Sequence, residues 1–217
     1  MEECISVFDM LKIGVGPSSS HTLGPWRAAE RFLEELRQDF DLNSITRVKV
    51  DLYGSLSLTG KGHATDLAVM LGLSGQDPEY IPVQDIDGII KAIENNHLIQ
   101  LGNEKALPFY ILQDIVFHKE FLPFHANGLT FTAFFENENE YASTFYSIGG
   151  GFVVKEERSN AKKKIAIKCA FPFPINNAAE LLDYTQKENK SISEIVYANE
   201  ISMRPEAEVH SELLRIW

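Results

Sequence analysis

Apolar and polar positions alternate in three different rhythms along the chain: helical with one strand early, strand-like in the middle, and helical again at the end. A short apolar stretch, residues 5 to 12, comes first, and a segment rich in Gly, Pro and Ser follows from Gly14 to Thr22. Pro25 suits a first helical turn, and Trp26, Ala29, Leu33 and Leu36 recur at helical spacing, which predicts an amphipathic helix. From Ile45 to Tyr53 the period falls to two: Val48, Val50 and Leu52 face one way, and Arg47, Lys49 and Asp51 the other. That is a half-buried strand. Gly54 to Gly62 reads as a second glycine-rich loop. Leu67, Met70 and Leu71 then mark a short helix ending at Gly72 or Gly75. Ile86, Ile89, Ile90 and Ile93 predict a helix over residues 85–96.

Between residues 98 and 171 the expected elements are strands, at Phe109–Phe117, Leu129–Phe135, Thr144–Ile148, Phe152–Lys155 and Lys164–Ala170. His125-Ala126-Asn127-Gly128 reads as a turn between two of them, because Asn-Gly favours a hairpin. Ser147-Ile148-Gly149-Gly150-Gly151 is either a tight turn or a place where backbone approaches a ligand. Beyond Pro174, Asn177 to Gln186 is helical, Ser191 with Glu194 forms a capping box, and Pro205 opens a helix with Val209, Leu213 and Ile216 on one face. The expected fold class is α+β: a mixed or antiparallel sheet with helices on one face, followed by a helical segment. The expected division is a domain over 1–172 and, over 173–217, the helical start of a second domain. The apolar faces of these last helices call for a partner, and Trp217 follows directly on an apolar residue.

Composition narrows the partners. The chain of 217 residues carries 31 acidic and 20 basic residues, a net charge of −11. A nucleic-acid partner is not expected, since phosphate recognition needs a basic stripe. The one basic cluster, Lys162-Lys163-Lys164 near Lys168, reads as a solvated strand edge or turn. No apolar run approaches the ~20 residues of a membrane span, and Met1-Glu2-Glu3 lacks the basic start of a signal peptide, so a cytoplasmic location without membrane contact is expected. Cys4 and Cys169 stand far apart without CxxC spacing, which predicts neither a disulfide framework nor a metal site built from this chain alone.

Two loops carry candidate chemistry. The first, Gly14 to Pro25, places Ser18, Ser19, Ser20, His21 and Thr22 before a helix start. Hydroxyls, free amides and a helix dipole favour an anion there, and an imidazole moves protons near neutral pH. The same residues also suit a plain capping loop. The second loop runs from Gly54 to His63 and on to Asp66. It departs from the Walker pattern, because five residues separate Gly54 from Gly60 and Gly62 stands where Ser or Thr would hold magnesium. Nucleotide hydrolysis is therefore disfavoured. Lys61, His63 and Asp66 remain as a cation, an acid or base, and an orienting carboxylate, unless the segment is only a glycine-rich strand-to-helix turn. The elbow pattern of a serine hydrolase is absent from the first loop.

Taken together, these residues resemble a known family. Ser6-Val7-Phe8-Asp9-Met10, the Gly14-x-Gly-Pro-Ser-Ser-Ser-His-Thr-x-Gly-Pro25 segment and Gly54-Ser55-Leu56-x-x-Thr59-Gly60-Lys61-Gly62-His63-x-Thr65-Asp66 are similar to the β region of iron–sulfur-dependent L-serine dehydratases. So are His125-x-Asn127-Gly128, Tyr146 to Phe152, Ile192-Ser193-Glu194, Asn199-Glu200 and Ile216-Trp217. The resemblance implies conversion of L-serine to pyruvate and ammonia. It also implies a four-iron four-sulfur (4Fe-4S) cluster as Lewis acid. The cluster would be held by cysteines of an α domain beyond Trp217, so this chain alone is expected to be inactive. It implies a sheet domain similar to the allosteric substrate-binding domain of phosphoglycerate dehydrogenases. His21 is then the expected catalytic residue, with Ser18, Ser19, Ser20, Thr22, Lys61, His63 and Asp66 at the substrate. The expected partners are L-serine, the protein's own α domain and a second copy in a homodimer. A competing reading is a module that binds serine or another small carboxylate without catalysis.

Overall fold

In chain order the elements are α1 (Val7–Met10), a π-helical turn (Ser19–Leu23), α2 (Gly24–Asp39), β1 (Ile45–Leu52), α3 (Gly54–Leu58), a 3-10 turn (Gly60–His63), α4 (Thr65–Leu73) and α5 (Val83–Asn96). There follow β2 (Leu98–Leu101), β3 (Lys105–Pro108), α6 (Ile111–Asp114), β4 (Ile115–Phe117), β5 (Gly128–Phe135), β6 (Glu140–Gly149) and β7 (Phe152–Lys155). The last three are α7 (Ala178–Glu188), α8 (Ile192–Met203) and α9 (Glu206–Ile216). This computed structural model describes residues 5–156 and 171–217, with the side chain of Lys61 outside that set. Cys4, Cys169, the lysine cluster at 162–164 and the strand expected over Lys164–Ala170 lie outside the described residues. The chain divides into a unit of Ile13–Arg158 and a unit of Met1–Lys12 with Ser159–Trp217. Sequence reasoning instead set a single boundary at 172/173.

The first unit is built on a five-stranded sheet in the order β4-β1-β5-β6-β7. β1 pairs with β4 in parallel and with β5 antiparallel, and β6 and β7 continue antiparallel. The alternation read from β1 holds: Val48, Val50 and Leu52 are fully buried. On the opposite face Arg47 pairs with Asp114, and Lys49 with Asp51. α2 lies across the core face, where Trp26, Phe32, Leu33 and Leu36 are buried and Phe32 stacks on Phe131 at 5.1 Å between ring centroids. Each such side chain contributes about 1.5–3 kcal/mol of transfer free energy. α4 packs on α2 and is apolar after its first turn, burying Ala68, Val69, Met70, Leu71 and Leu73. The covered turns have no polar face to show.

Three expectations change. The glycine-rich segment 54–62 is not a loop but α3 and a 3-10 turn, because Gly54 at φ 54° turns the chain directly from β1 into a helix. The strand expected over Phe109–Phe117 survives only as β4. Its first half coils into α6, where Asp114 accepts a hydrogen bond from the Tyr110 amide at 2.6 Å and closes the turn. Asn127-Gly128 is not a hairpin turn. Leu52 pairs with Phe117 on one side and Leu129 on the other, so the segment between β4 and β5 crosses from one flank of β1 to the other. The Gly149-Gly150-Gly151 run does form a tight β6–β7 turn, all three at positive φ.

The second unit contains α1 and α7–α9. Ser6 and Asp9 form a capping box on α1, and Ser191 and Glu194 form the expected one on α8. Glu200, 2% exposed, accepts hydrogen bonds from the Ser6 hydroxyl and the Val7 amide, both at 2.7 Å. Arg204 completes the cluster at 3.3 Å and lies over the Phe8 ring. Residues 5–12 therefore belong with the C-terminal helices rather than forming a free leading segment. No helix among the described residues is long and apolar enough to cross a membrane.

Candidate functional site

The site lies within the first unit, where the two loops singled out in the sequence meet. Ser18 caps the π-helical turn, its hydroxyl accepting from the His21 amide at 3.3 Å. A π turn carries one extra residue per turn, and here it sets His21 and Thr22 side by side before the straight run of α2. Gly24 then passes so close to β6 that an added Cβ would lie 1.9 Å from Ser147 Oγ. That approach lets Ser147 donate to the Ser20 carbonyl at 2.7 Å, while Asn127 Nδ2 donates to the Ser147 carbonyl at 3.1 Å. The loop is thus fixed to the sheet through its backbone.

The second loop is fixed in the same manner. Gly54 has no room for a side chain, since a Cβ would meet the Ala126 carbonyl at 2.3 Å. The Ser55 amide donates to that carbonyl at 2.8 Å, which aims the Ser55 hydroxyl at the first loop. The two loops also bind each other. Thr22 Oγ1 donates to the His63 carbonyl at 2.9 Å, and Thr65 Oγ1 donates to the His21 carbonyl at 2.7 Å. Between His63 and Thr65, Ala64 is held left-handed at φ 56°. Such a conformation costs on the order of 1–3 kcal/mol in a residue with a side chain and clusters at functional sites.

These constraints bring His21 and His63 to 5.0 Å between ring centroids. The two imidazoles differ in what they can do. His21 is engaged at both nitrogens, Nδ1 with Ser20 Oγ and Nε2 with Ser55 Oγ, each at 2.9 Å. Burial, reinforced by the neighbouring His63, holds its pKa below the ordinary value, against hydrogen bonding to Ser55 that acts the other way. His21 is thus an imidazole oriented by two hydroxyls in surroundings that disfavour its charged form. His63 Nδ1 lies 2.9 Å from the Thr59 carbonyl, which can only accept. Nδ1 is therefore the donor in that bond, and Nε2 is the nitrogen left to accept in the corresponding tautomer. Among the described residues no partner engages that nitrogen.

The other expected residues divide. Ser18 and Ser20 face each other at 3.3 Å within this cluster. Ser19 is exposed. Asp66 sits in the first turn of α4, where its carboxylate accepts from the Leu67 amide at 3.0 Å and complements the helix dipole. Lys61 lies in the 3-10 turn, with its side chain outside the described residues. Sequence reasoning missed Ser55, Thr65 and Ser147 as participants. All three stand inside segments quoted for the resemblance, but their roles depend on close backbone approach, which residue type alone does not report. Among the described residues no three His, Cys, Asp or Glu side chains converge as metal ligands.

Comparison with known proteins agrees with this assembly of motifs. The chain is 38% identical over 215 residues to an L-serine dehydratase of Haemophilus influenzae. It is 40% identical over 214 residues to L-serine dehydratase 1 of Escherichia coli and 41% identical over 215 residues to an L-serine dehydratase of Streptomyces coelicolor. Each match takes in 98% of this chain and 47% of the relative, so the chain spans about half the length of the curated relatives it matches. A family model described as the serine dehydratase beta chain matches residues 6–158, which include every hydroxyl and imidazole of the site, and the chain belongs to that family.

Proposed function

We propose that the chain is the β part of an L-serine dehydratase, a lyase that converts L-serine to pyruvate and ammonia. The observation that carries the reading is the histidine pair: one imidazole saturated by hydroxyls, the other with a tautomer fixed so that Nε2 is open. His63 Nε2 is suited to take the α-proton of L-serine. His21 orients the site and relays protons between the Ser20 and Ser55 hydroxyls, a proton-handling role that keeps it in the catalytic set. Ser18, Ser19 and Ser20, with Lys61 and Asp66, would bind the substrate carboxylate and ammonium, and Thr22 would shape the pocket by tying the two loops together. Loss of the α-proton and of the hydroxyl from the β-carbon leaves an enamine. Its imine tautomer takes up water and releases ammonia, giving pyruvate.

Departure of hydroxide needs an acid at the β-oxygen, and Lewis acidity is what a 4Fe-4S cluster would supply. The described residues do not fit such a cluster, so it enters the proposal as the property of an α domain to which the C-terminal helices lead. The sheet unit is then the β domain, and the protein's own α domain is its partner. A homodimer and a cytoplasmic location complete the proposal, and sedimentation of the intact protein reports the former.

The test is pyruvate formation from L-serine by the intact protein, purified and assayed without oxygen. A His63→Ala variant is expected to lose about 10²–10⁴-fold in kcat with its cluster content unchanged. His21→Ala is expected to lose activity through both kcat and KM, because it disturbs orientation as well as proton transfer. No pyruvate from cluster-loaded protein would overturn the assignment. Full activity in His63→Ala would remove that residue as the base.

A further inference from the structure

The His125-Ala126-Asn127-Gly128 segment has no task in the reaction proposed above, yet it supports both loops of the site. It leads into β5 at the end of the sheet where β1 gives way to α3. On one side, the Ala126 carbonyl accepts from the Ser55 amide at 2.8 Å, and the Ser55 hydroxyl lies 2.9 Å from His21 Nε2. On the other side, Asn127 joins Ser147 by two bonds. Its Nδ2 donates to the Ser147 carbonyl at 3.1 Å, and its own carbonyl accepts from the Ser147 amide at 3.0 Å. Ser147 Oγ donates in turn to the Ser20 carbonyl at 2.7 Å, and the Ser20 hydroxyl lies 2.9 Å from His21 Nδ1. The two hydroxyls that flank the His21 ring therefore trace back to adjacent residues, Ala126 and Asn127.

This support is buried. Asn127 is 9% exposed and Ser147 is 0% exposed, so water does not compete for the bonds between them. The Asn127 backbone amide donates to His125 Nδ1 at 3.1 Å and closes the turn from within. The Ser20–His21 stretch of the first loop is held at both carbonyls, by Ser147 and by Thr65. Among the described residues Asn127 bonds to neither His21 nor His63, so whatever it does for the imidazoles it does through Ser147 and the Ala126 carbonyl. Side chains that handle protons need their geometry fixed to a fraction of an ångström, and outer hydrogen bonds of this kind are what fixes it.

We infer that Asn127 is a positioning residue, which holds the Ser20 and Ser55 hydroxyls in register on the two nitrogens of His21. Its side-chain amide ties the segment that aims Ser55 to the strand that aims Ser20, so both hydroxyls share one support. The consequence for turnover rests on the dehydratase reading; the setting of the ring does not.

The test has two arms. The first uses the intact protein, prepared without metal and labelled with nitrogen-15 histidine, and follows the ring nitrogens of His21 by NMR, assigned by their loss in His21→Asn. In Asn127→Ala both ring-nitrogen signals are expected to move from their parent positions, while those of His97, stacked on Tyr110 away from the site, stay in place. Ser147→Ala removes only the hydroxyl that reaches the Ser20 carbonyl and is expected to move Nδ1 alone; it decides the matter where Asn127→Ala does not fold. The second arm measures pyruvate formation by the intact protein without oxygen. Asn127→Ala is expected to lower kcat by about 10–10²-fold, the effect of a misplaced group. Added to His21→Ala, it is expected to cost less than about twofold more, because a support matters only while the group it supports is present. Unchanged His21 nitrogens in either variant, or losses that simply multiply in the double variant, would overturn the proposal. If the parent protein forms no pyruvate, the dehydratase reading fails and the ring nitrogens alone decide the role of Asn127.

Discussion

His21 shows how far a residue type predicts its surroundings. Its place beside three serines pointed to proton chemistry, and the structure surrounds it with hydroxyls at both ring nitrogens. What sequence did not reveal was its partner, since His63 arrives from a segment 42 positions later and the pairing depends on two threonine hydroxyls that each bind the other loop. The lowered pKa has a measurable consequence. Folding disfavours the imidazolium, so between the folded pKa and the ordinary 6.5 the unfolded chain binds more protons. His21 thus contributes stability in full above pH 6.5, and that contribution is lost as pH falls through the window below it. Urea midpoints measured from pH 7.5 down to about pH 5 are expected to fall less steeply for His21→Asn than for the parent protein. Identical slopes would show that the environment of His21 does not couple to folding.

At the scale of elements, periodicity was a sound guide wherever packing is one-sided. α2, β1, α5 and the capped α8 appear where the spacing placed them. It was a poor guide where a single backbone contact decides. α6 interrupts an apolar run that reads as a strand, because the Asp114 carboxylate reaches back to the Tyr110 amide. The hairpin of β2 and β3 lay hidden in a stretch read only as generally strand-like, because its four-residue strands are too short to establish a period. The attachment of α1 was not visible at all. It rests on Glu200, nearly 200 positions away, whose buried carboxylate gathers Ser6, Val7 and Arg204. Glu200→Ala strands these partners and is expected to destabilise the helical unit by about 2–4 kcal/mol. Amide exchange at Leu11, which bonds to the Val7 carbonyl, is expected to rise sharply in that variant. Unchanged exchange there would mean that α1 is held by other contacts.

The whole molecule follows the broad outline read from composition and pattern: a mostly antiparallel sheet with helices, then helices alone. The dividing line between units was not legible, because the first twelve residues carry no local signal of a partner more than 150 positions away. If the dehydratase proposal holds, the site described above supplies only the proton-handling half of the reaction. The chain by itself is then expected to release no pyruvate from L-serine under anaerobic conditions. Mixing it with a separately produced, cluster-loaded α domain is expected to restore turnover. Pyruvate from the chain alone would show that the site needs no companion.

The crosswise bonds between Thr22 and the His63 carbonyl, and between Thr65 and the His21 carbonyl, have a mechanical meaning as well as a chemical one. Each strut runs from one loop to the main chain of the other, so the pair behaves as a braced frame instead of two hinged flaps. A force that pulls on either segment is passed to both imidazoles together, and their spacing is preserved while the frame moves. If the dehydratase proposal holds, a substrate is expected to reach His63 with both bonds intact, and not by prising the two loops apart.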